Sequence, residues 1–153
     1  MDILTRMSPE FRRSYIIALA GGCRLAQWRW IRFEVEAQGV LHWGMQDHLE
    51  TNGVIIARWM DFPWDHWLDT RIAFGEGLSY AFRRPYLEPR KDPDAGDSKQ
   101  FINYLMAEVE FVLPRLPQWS SFIRVHHRSG VFGLFGGVEG GSNFVGTGLR
   151  YSF

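Results

Sequence analysis

Apolar and polar side chains alternate with a period of two along most of this chain, and nothing else in the sequence constrains the fold as tightly. From Ile31 to Trp43, the residues Ile31, Phe33, Val35, Ala37, Gly39, Leu41 and Trp43 share one face. Arg32, Glu34, Glu36, Gln38 and His42 share the other. Built as a strand, this segment has one greasy side and one charged side. The stretch from Asn103 to Leu113 repeats the pattern, with Leu105, Ala107, Val109 and Phe111 opposing Tyr104, Met106, Glu108 and Glu110. So does the last segment, where Val145, Thr147, Leu149, Tyr151 and Phe153 oppose Phe144, Gly146, Gly148, Arg150 and Ser152. Residues 119–129 alternate Ile123 and Val125 against Arg124, His126 and Arg128. Residues 14–25, 49–60 and 69–82 follow less cleanly. In the last of these Glu76 shares the parity of Ile72, Phe74 and Leu78, which predicts a bulge or a buried carboxylate.

These segments make seven strands in one domain spanning 1–153, with no internal repeat and no linker. The natural architecture is all-β, an antiparallel up-and-down meander or barrel. The links at 26–29, 61–68 and 114–118 fall at one end and are short or carry proline (Pro63, Pro114, Pro117). The links at 44–48, 83–100 and 130–140 fall at the other end, and the latter two are long. Single-chain bacterial barrels have an even strand number with both termini on one side. Counting back from the C-terminus, an upward strand is expected before residue 14. Residues 1–13 look too short and polar to supply it, so the expectation is a chain without its signal peptide and most of its first strand.

Alternation does not say which face meets water. The chain carries 17 basic and 17 acidic side chains, with a mean hydropathy of −0.19, which reads as an ordinary soluble domain. With no excess of positive charge, the composition argues against a broad nucleic-acid footprint, and no nucleic-acid partner is expected. The longest apolar run, Tyr15 to Cys23, is nine residues, well short of the about 20 that a helical span needs. One cysteine allows no internal disulfide framework. In a lipocalin-like soluble barrel the charged face would be outside; in an outer-membrane barrel it would fill the interior.

Three features favour the membrane. The asymmetry of link lengths is that of outer-membrane barrels. Trp28, Trp30, Trp59, Trp64, Trp67 and Trp119 gather near the short-link end, as an interfacial girdle requires. The closing Tyr151-x-Phe153 resembles the C-terminal signal by which such barrels are recognised for assembly. On that reading Arg32, Arg58, Arg124, Arg128 and Arg150 pair inside with Glu34, Glu36, Glu108 and Glu110, because buried charges must be paired. His42, His48 and His66 look too scattered for a metal site, and neither metal nor cofactor is expected.

The segment Arg124-Val125-His126-His127-Arg128-Ser129-Gly130 carries the one arrangement that looks catalytic. His127 and Ser129, two apart on a strand, share the apolar face with Ile123 and Val125. An imidazole and a hydroxyl turned toward lipid are costly without a task. A serine activated by a histidine base is the core of acyl transfer. A third group should orient the imidazole, and Asn143 on the outward face of the last strand and Glu139 in the preceding loop are the candidates. Gly130 is the nearest backbone N–H donor for a developing oxyanion. His126 points inward.

The His-x-Ser on the penultimate strand, with the closing GGSNFVGTGLRYSF, resembles the outer-membrane lipid A deacylases of the PagL type. FEVEAQG, FPW, GEGLSYA and VHHRSGVFGLFGG extend the resemblance over about residues 14–153. It implies an eight-stranded barrel in the outer membrane that acts on the lipid A of lipopolysaccharide. Its active site would face lipid and remove an ester-linked 3-O-acyl chain without a metal. It also implies His127 as base and Ser129 as nucleophile. The family places a glutamate where this chain has Gly141, between the two candidates for the third role. The rivals are a non-enzymatic barrel with a structural or adhesive role and a soluble lipid-binding barrel.

Overall fold

A computed structural model of the chain describes residues 13–85, 100–113, 115–130 and 141–153. It contains seven strands: β1 (Ser14–Trp28), β2 (Ile31–Gly44), β3 (His48–Trp59), β4 (Thr70–Ala81), β5 (Phe101–Leu113), β6 (Leu116–Ser129) and β7 (Gly141–Tyr151). Every strand pairs antiparallel with its neighbour in sequence, giving one sheet in the order β1-β2-β3-β4-β5-β6-β7. The described residues include no helix, and β1 and β7 are the two edges of the sheet. Residues 1–12, on which the expectation of a missing first strand falls, lie outside the described part.

The period-two pattern becomes a two-faced sheet because successive side chains leave a strand on opposite sides. In β3 burial alternates without a break over all 12 residues, from buried His48 to exposed Trp59. Exposed Phe33, Ile55, Phe74, Leu105, Ile123 and Val145 lie on the outward face, so this face is apolar. The register slips at two places, between Arg24 and Ala26 in β1 and between Val112 and Leu113 where β5 meets β6. At the second, Leu113 pairs with Leu116, so most of the link expected at 114–118 is absorbed into β6.

Glu76 corrects another expectation. It is exposed, and it pairs with Ile55 and Leu105 in unbroken register, so neither a bulge nor a buried carboxylate accounts for it. Its carboxylate sits on the outward face beside a shallow groove lined by Phe33, Ile55, Phe74 and Leu105.

The sheet curls enough for inward side chains of β2 and β3 to meet those of β5, β6 and β7, and the inside is layered along the strands. Nearest the tryptophan-rich end is a cluster of ions. Arg58 Nη1 lies 2.8 Å from Glu108 and 2.6 Å from Glu110. Arg150 Nη1 lies 2.8 Å from the same two carboxylates. Arg124 reaches Glu108 at 2.6 Å and Glu36 at 2.7 Å, which ties β6 to both β5 and β2. Glu34 takes Arg58 at 3.1 Å and Arg32 at 2.5 Å. Four arginines thus meet four glutamates, and the charge of the layer cancels.

Above the ions is a thin apolar layer of Val54, Ile56, Ala73, Tyr104 and Met106. Gly75 belongs here by necessity, since a Cβ at that position would stand 2.8 Å from Val54 Cγ2 and 2.9 Å from Met106 Cγ. The third layer, at the long-link end, is polar again and contains His42, His48, Glu50, His126 and Arg128. Arg128 therefore does not join the glutamates expected for it. Its Nε donates to Ser79 Oγ at 2.8 Å and lies 3.5 Å from Glu50, because four residues along the strand carry it from the layer of Arg124 to the layer at the long-link end.

At the other end, the segment between β3 and β4 is closed by Asp65, which accepts from the backbone N–H groups of Phe62 and Thr70 at 2.8 and 3.0 Å. Exposed Trp28, Trp30, Trp59, Trp64, Trp67 and Trp119 all lie at this end. Trp119 meets Tyr151 edge-on with centroids 5.0 Å apart. Trp43 is apart from them, stacked on Tyr15 at the opposite end of β2.

Arg58→Met strips Glu108 and Glu110 of a fully buried partner, and removing one member of such a pair costs about 3–5 kcal/mol. The expected result is a clear fall in the urea midpoint of the purified chain, followed by tryptophan fluorescence. Adding Glu108→Gln to Arg58→Met should recover part of that loss.

Candidate active site

Strands β6 and β7 pair so that His127 stands directly opposite Asn143, and Ser129 directly opposite Gly141. By parity His127, Ser129 and Asn143 are on the outward face with Ile123 and Val125, while His126 and Arg128 are buried on the inward face. The imidazole Nδ1–H of His127 donates to Asn143 Oδ1 over 2.5 Å. That bond fixes the tautomer: with the proton on Nδ1, Nε2 keeps its lone pair and is free to act as a base. The Ser129 hydroxyl, next on the same face, is half-buried. No hydrogen bond joins it to His127 in this arrangement, and such contacts often form only with substrate in place.

Gly141 explains why the orienting group sits where it does. A Cβ at Gly141 would stand 2.3 Å from the Arg128 carbonyl oxygen and 3.2 Å from both His127 Cε1 and Ser129 Cβ. The backbones approach too closely opposite Ser129 for any side chain. One step along the same face, opposite His127, there is room, and Asn143 fills it. Of the two residues considered for the third role, the structure places Asn143 against the imidazole. Glu139, in the glycine-rich stretch 131–140, lies outside the described residues. Gly130 is buried at the end of β6, directly after Ser129.

The outward triad can orient an imidazole and present a hydroxyl, which is the equipment for nucleophilic acyl transfer. Asn143 contributes orientation without charge, since an amide carbonyl accepts the Nδ1 proton but does not neutralise an imidazolium. The interior residues Arg32, Glu34, Glu36, Arg58, Glu108, Glu110, Arg124 and Arg150 are engaged with one another and face away from this site.

The histidines did not stay scattered. His42 and His48 pair across the short link between β2 and β3, and their rings stack with centroids 4.1 Å apart. Both are buried. The pairing follows from the tightness of that link, a signal present in the spacing 42–48. His66, by contrast, is exposed and rests edge-on against Trp67. Glu50 is the interior residue that sequence reasoning missed. It is fully buried, and its position two residues from His48 on an alternating strand was the available clue. Comparison with models of protein families, with curated proteins and with solved structures gives no match for this chain.

Gly141→Ala forces β7 off the Arg128 carbonyl, an overpacking that costs about 1–3 kcal/mol. The denaturation midpoint should drop accordingly. Gly146→Ala on the same strand, where a Cβ meets nothing within 4 Å, should leave it unchanged.

Proposed function

We propose that this chain is an outer-membrane β-barrel serine esterase that removes an ester-linked 3-O-acyl chain from lipid A, releasing a 3-hydroxy fatty acid. The observation that carries the reading is the His127 Nδ1–H bond to Asn143 Oδ1, made on an apolar outward face beside Ser129. A soluble domain hides its apolar face and shows its ions. This sheet does the reverse, exposing Phe74, Ile55 and Ile123 while burying Arg58, Glu108 and Glu110. Aromatic side chains at the short-link end supply the interfacial belt. The catalytic pair lies at the opposite end of β6, which in a barrel of this orientation is the level of the outer leaflet, where lipid A resides.

In the proposed reaction His127 Nε2 takes the proton of Ser129 as Oγ bonds to the ester carbonyl carbon. The negative charge moves to the carbonyl oxygen, for which the backbone N–H of Gly130 is the nearest donor. Collapse breaks the bond to the sugar oxygen, which leaves with the proton from His127. Water then attacks the acyl carbon with His127 Nε2 taking its proton, the carbon–Oγ bond breaks as that proton returns to Ser129, and the free fatty acid departs. Asn143 holds the ring in register through both halves. The closed barrel, with an eighth strand between β7 and β1, belongs to this proposal. No cofactor or metal enters the chemistry.

Mass spectrometry of lipid A from cells expressing the protein should show loss of one 3-hydroxyacyl mass. Ser129→Ala should abolish that loss, and Asn143→Ala should slow it by roughly 10- to 100-fold, the cost of a misplaced base. An unchanged lipid A profile alongside a folded, detergent-partitioning protein would instead favour a structural or adhesive barrel.

A further inference from the structure

Asn103 is the only buried residue on the outward side of β5. Phe101 and Leu105, on either side of it along that face, are exposed, while Asn103 is 5 % exposed. Its Nδ2 is buried as well, without a hydrogen-bond partner among the described residues. Buried donors are normally paired, so an orphan on this face points to a group that arrives from outside.

The register puts the orphan beside Ser129. Asn103 stands directly opposite Ser129 where β5 meets β6, and Leu78 stands opposite Asn103 on β4. One row across the sheet therefore reads Leu78, Asn103, Ser129, Gly141. Leu78, Phe101 and Leu105 carry no side-chain acceptor for the amide. Directly opposed residues have Cβ atoms about 4.5–5.5 Å apart, and an asparagine nitrogen extends two bonds beyond its Cβ. Nδ2 of Asn103 is thus within reach of the space beside Ser129 Oγ.

We propose that Asn103 Nδ2 is the second donor of the oxyanion hole, acting with the backbone N–H of Gly130 on the ester carbonyl oxygen. The inference rests on the esterase reading and adds a catalytic residue to it. As Oγ bonds to the carbonyl carbon, the π electron pair moves onto the carbonyl oxygen, which then lies two bonds from Oγ. That is the space Asn103 borders. The amide gives a hydrogen bond and keeps both of its protons. The electron pair returns to the carbon when the bond to the sugar oxygen breaks. Such a bond is stronger to an oxyanion than to a neutral carbonyl, so it lowers the barrier more than it aids binding. Three groups then divide the surroundings of Ser129. His127, two residues back along β6, handles the proton, and Asn103 on the β5 side meets the charge. Gly141, where a Cβ would stand 3.2 Å from Ser129 Cβ, keeps the β7 side open for substrate. A neutral amide also stands on an apolar face at less cost than a lysine or arginine would.

The test uses the purified full chain, a fluorophosphonate probe that phosphonylates active-site serines, and lipopolysaccharide as substrate. Wild type should take the probe at Ser129 and release a 3-hydroxy fatty acid; Ser129→Ala should do neither. Asn103→Leu, similar in size but without a donor, should lower kcat and the labelling rate by about 100-fold or more. KM should stay near that of wild type, because the bond is made in the transition state. The urea midpoint should not fall, since the variant removes a buried donor that had no partner. Asn103→Asp, which keeps the shape but presents acceptors, should be at least as slow. Equal rates in wild type and Asn103→Leu would overturn the inference and leave the esterase reading standing. Rates and urea midpoint falling together would assign Asn103 a structural role and overturn it too. A wild type that neither labels nor releases fatty acid overturns the esterase reading, and this inference with it.

Discussion

Strands β2, β3, β5, β6 and β7 all depend on the cancellation of charge around Glu108. Three guanidinium groups, from Arg58, Arg124 and Arg150, converge on this one carboxylate, and they arrive from β3, β6 and β7. A buried glutamate alone would be prohibitively costly, and so would any of the three cations. Because the partners come from distant parts of the sequence, no fragment of the sheet satisfies its own charges. Curling the sheet is what brings β2 and β3 within reach of β6 and β7. The ion layer thus acts as a long-range constraint of the kind that a hydrophobic core supplies in an inside-out arrangement. Here the clustered apolar contribution inside is the narrow band around Val54, Ile56 and Met106, with Val40, Ala81, Ile102 and Val112 buried apart from it.

Much of the fold was legible because its information is local. The strict alternation of β2 and β5 can be read from consecutive residues, and the parity of His127 and Ser129 followed from it. What stayed hidden was of two kinds. Glu76, sharing the parity of Ile72, Phe74 and Leu78, pointed to a bulge or a buried carboxylate, yet it sits exposed in unbroken register. The partner of Arg128 was hidden because parity assigns a face but no height. Only the register of β3 against its neighbours shows that Glu50, and not Glu108, lies at the level of Arg128. The hydrogen bond between His127 and Asn143 was hidden for the same reason. It depends on the register of β6 against β7, and on a backbone approach at Gly141 that no linear spacing reveals.

The two polar layers also differ in kind. The lower one is saturated, with every glutamate held by at least one guanidinium group and the remaining oxygens taken by Ser120 and Gln38. The upper one is built from imidazoles and leaves donors and acceptors unspent.

Odd and even positions of β6 carry separate chemistries, His126 and Arg128 within and His127 and Ser129 without. A slip of one residue in the pairing of this strand would exchange the two sets, burying Ser129 and turning an arginine onto the apolar outward face. The outer site and the inner cluster are therefore correct together or wrong together. Any assay that detects a competent His127 and Ser129 also reports, at no further effort, that the interior has been assembled in register.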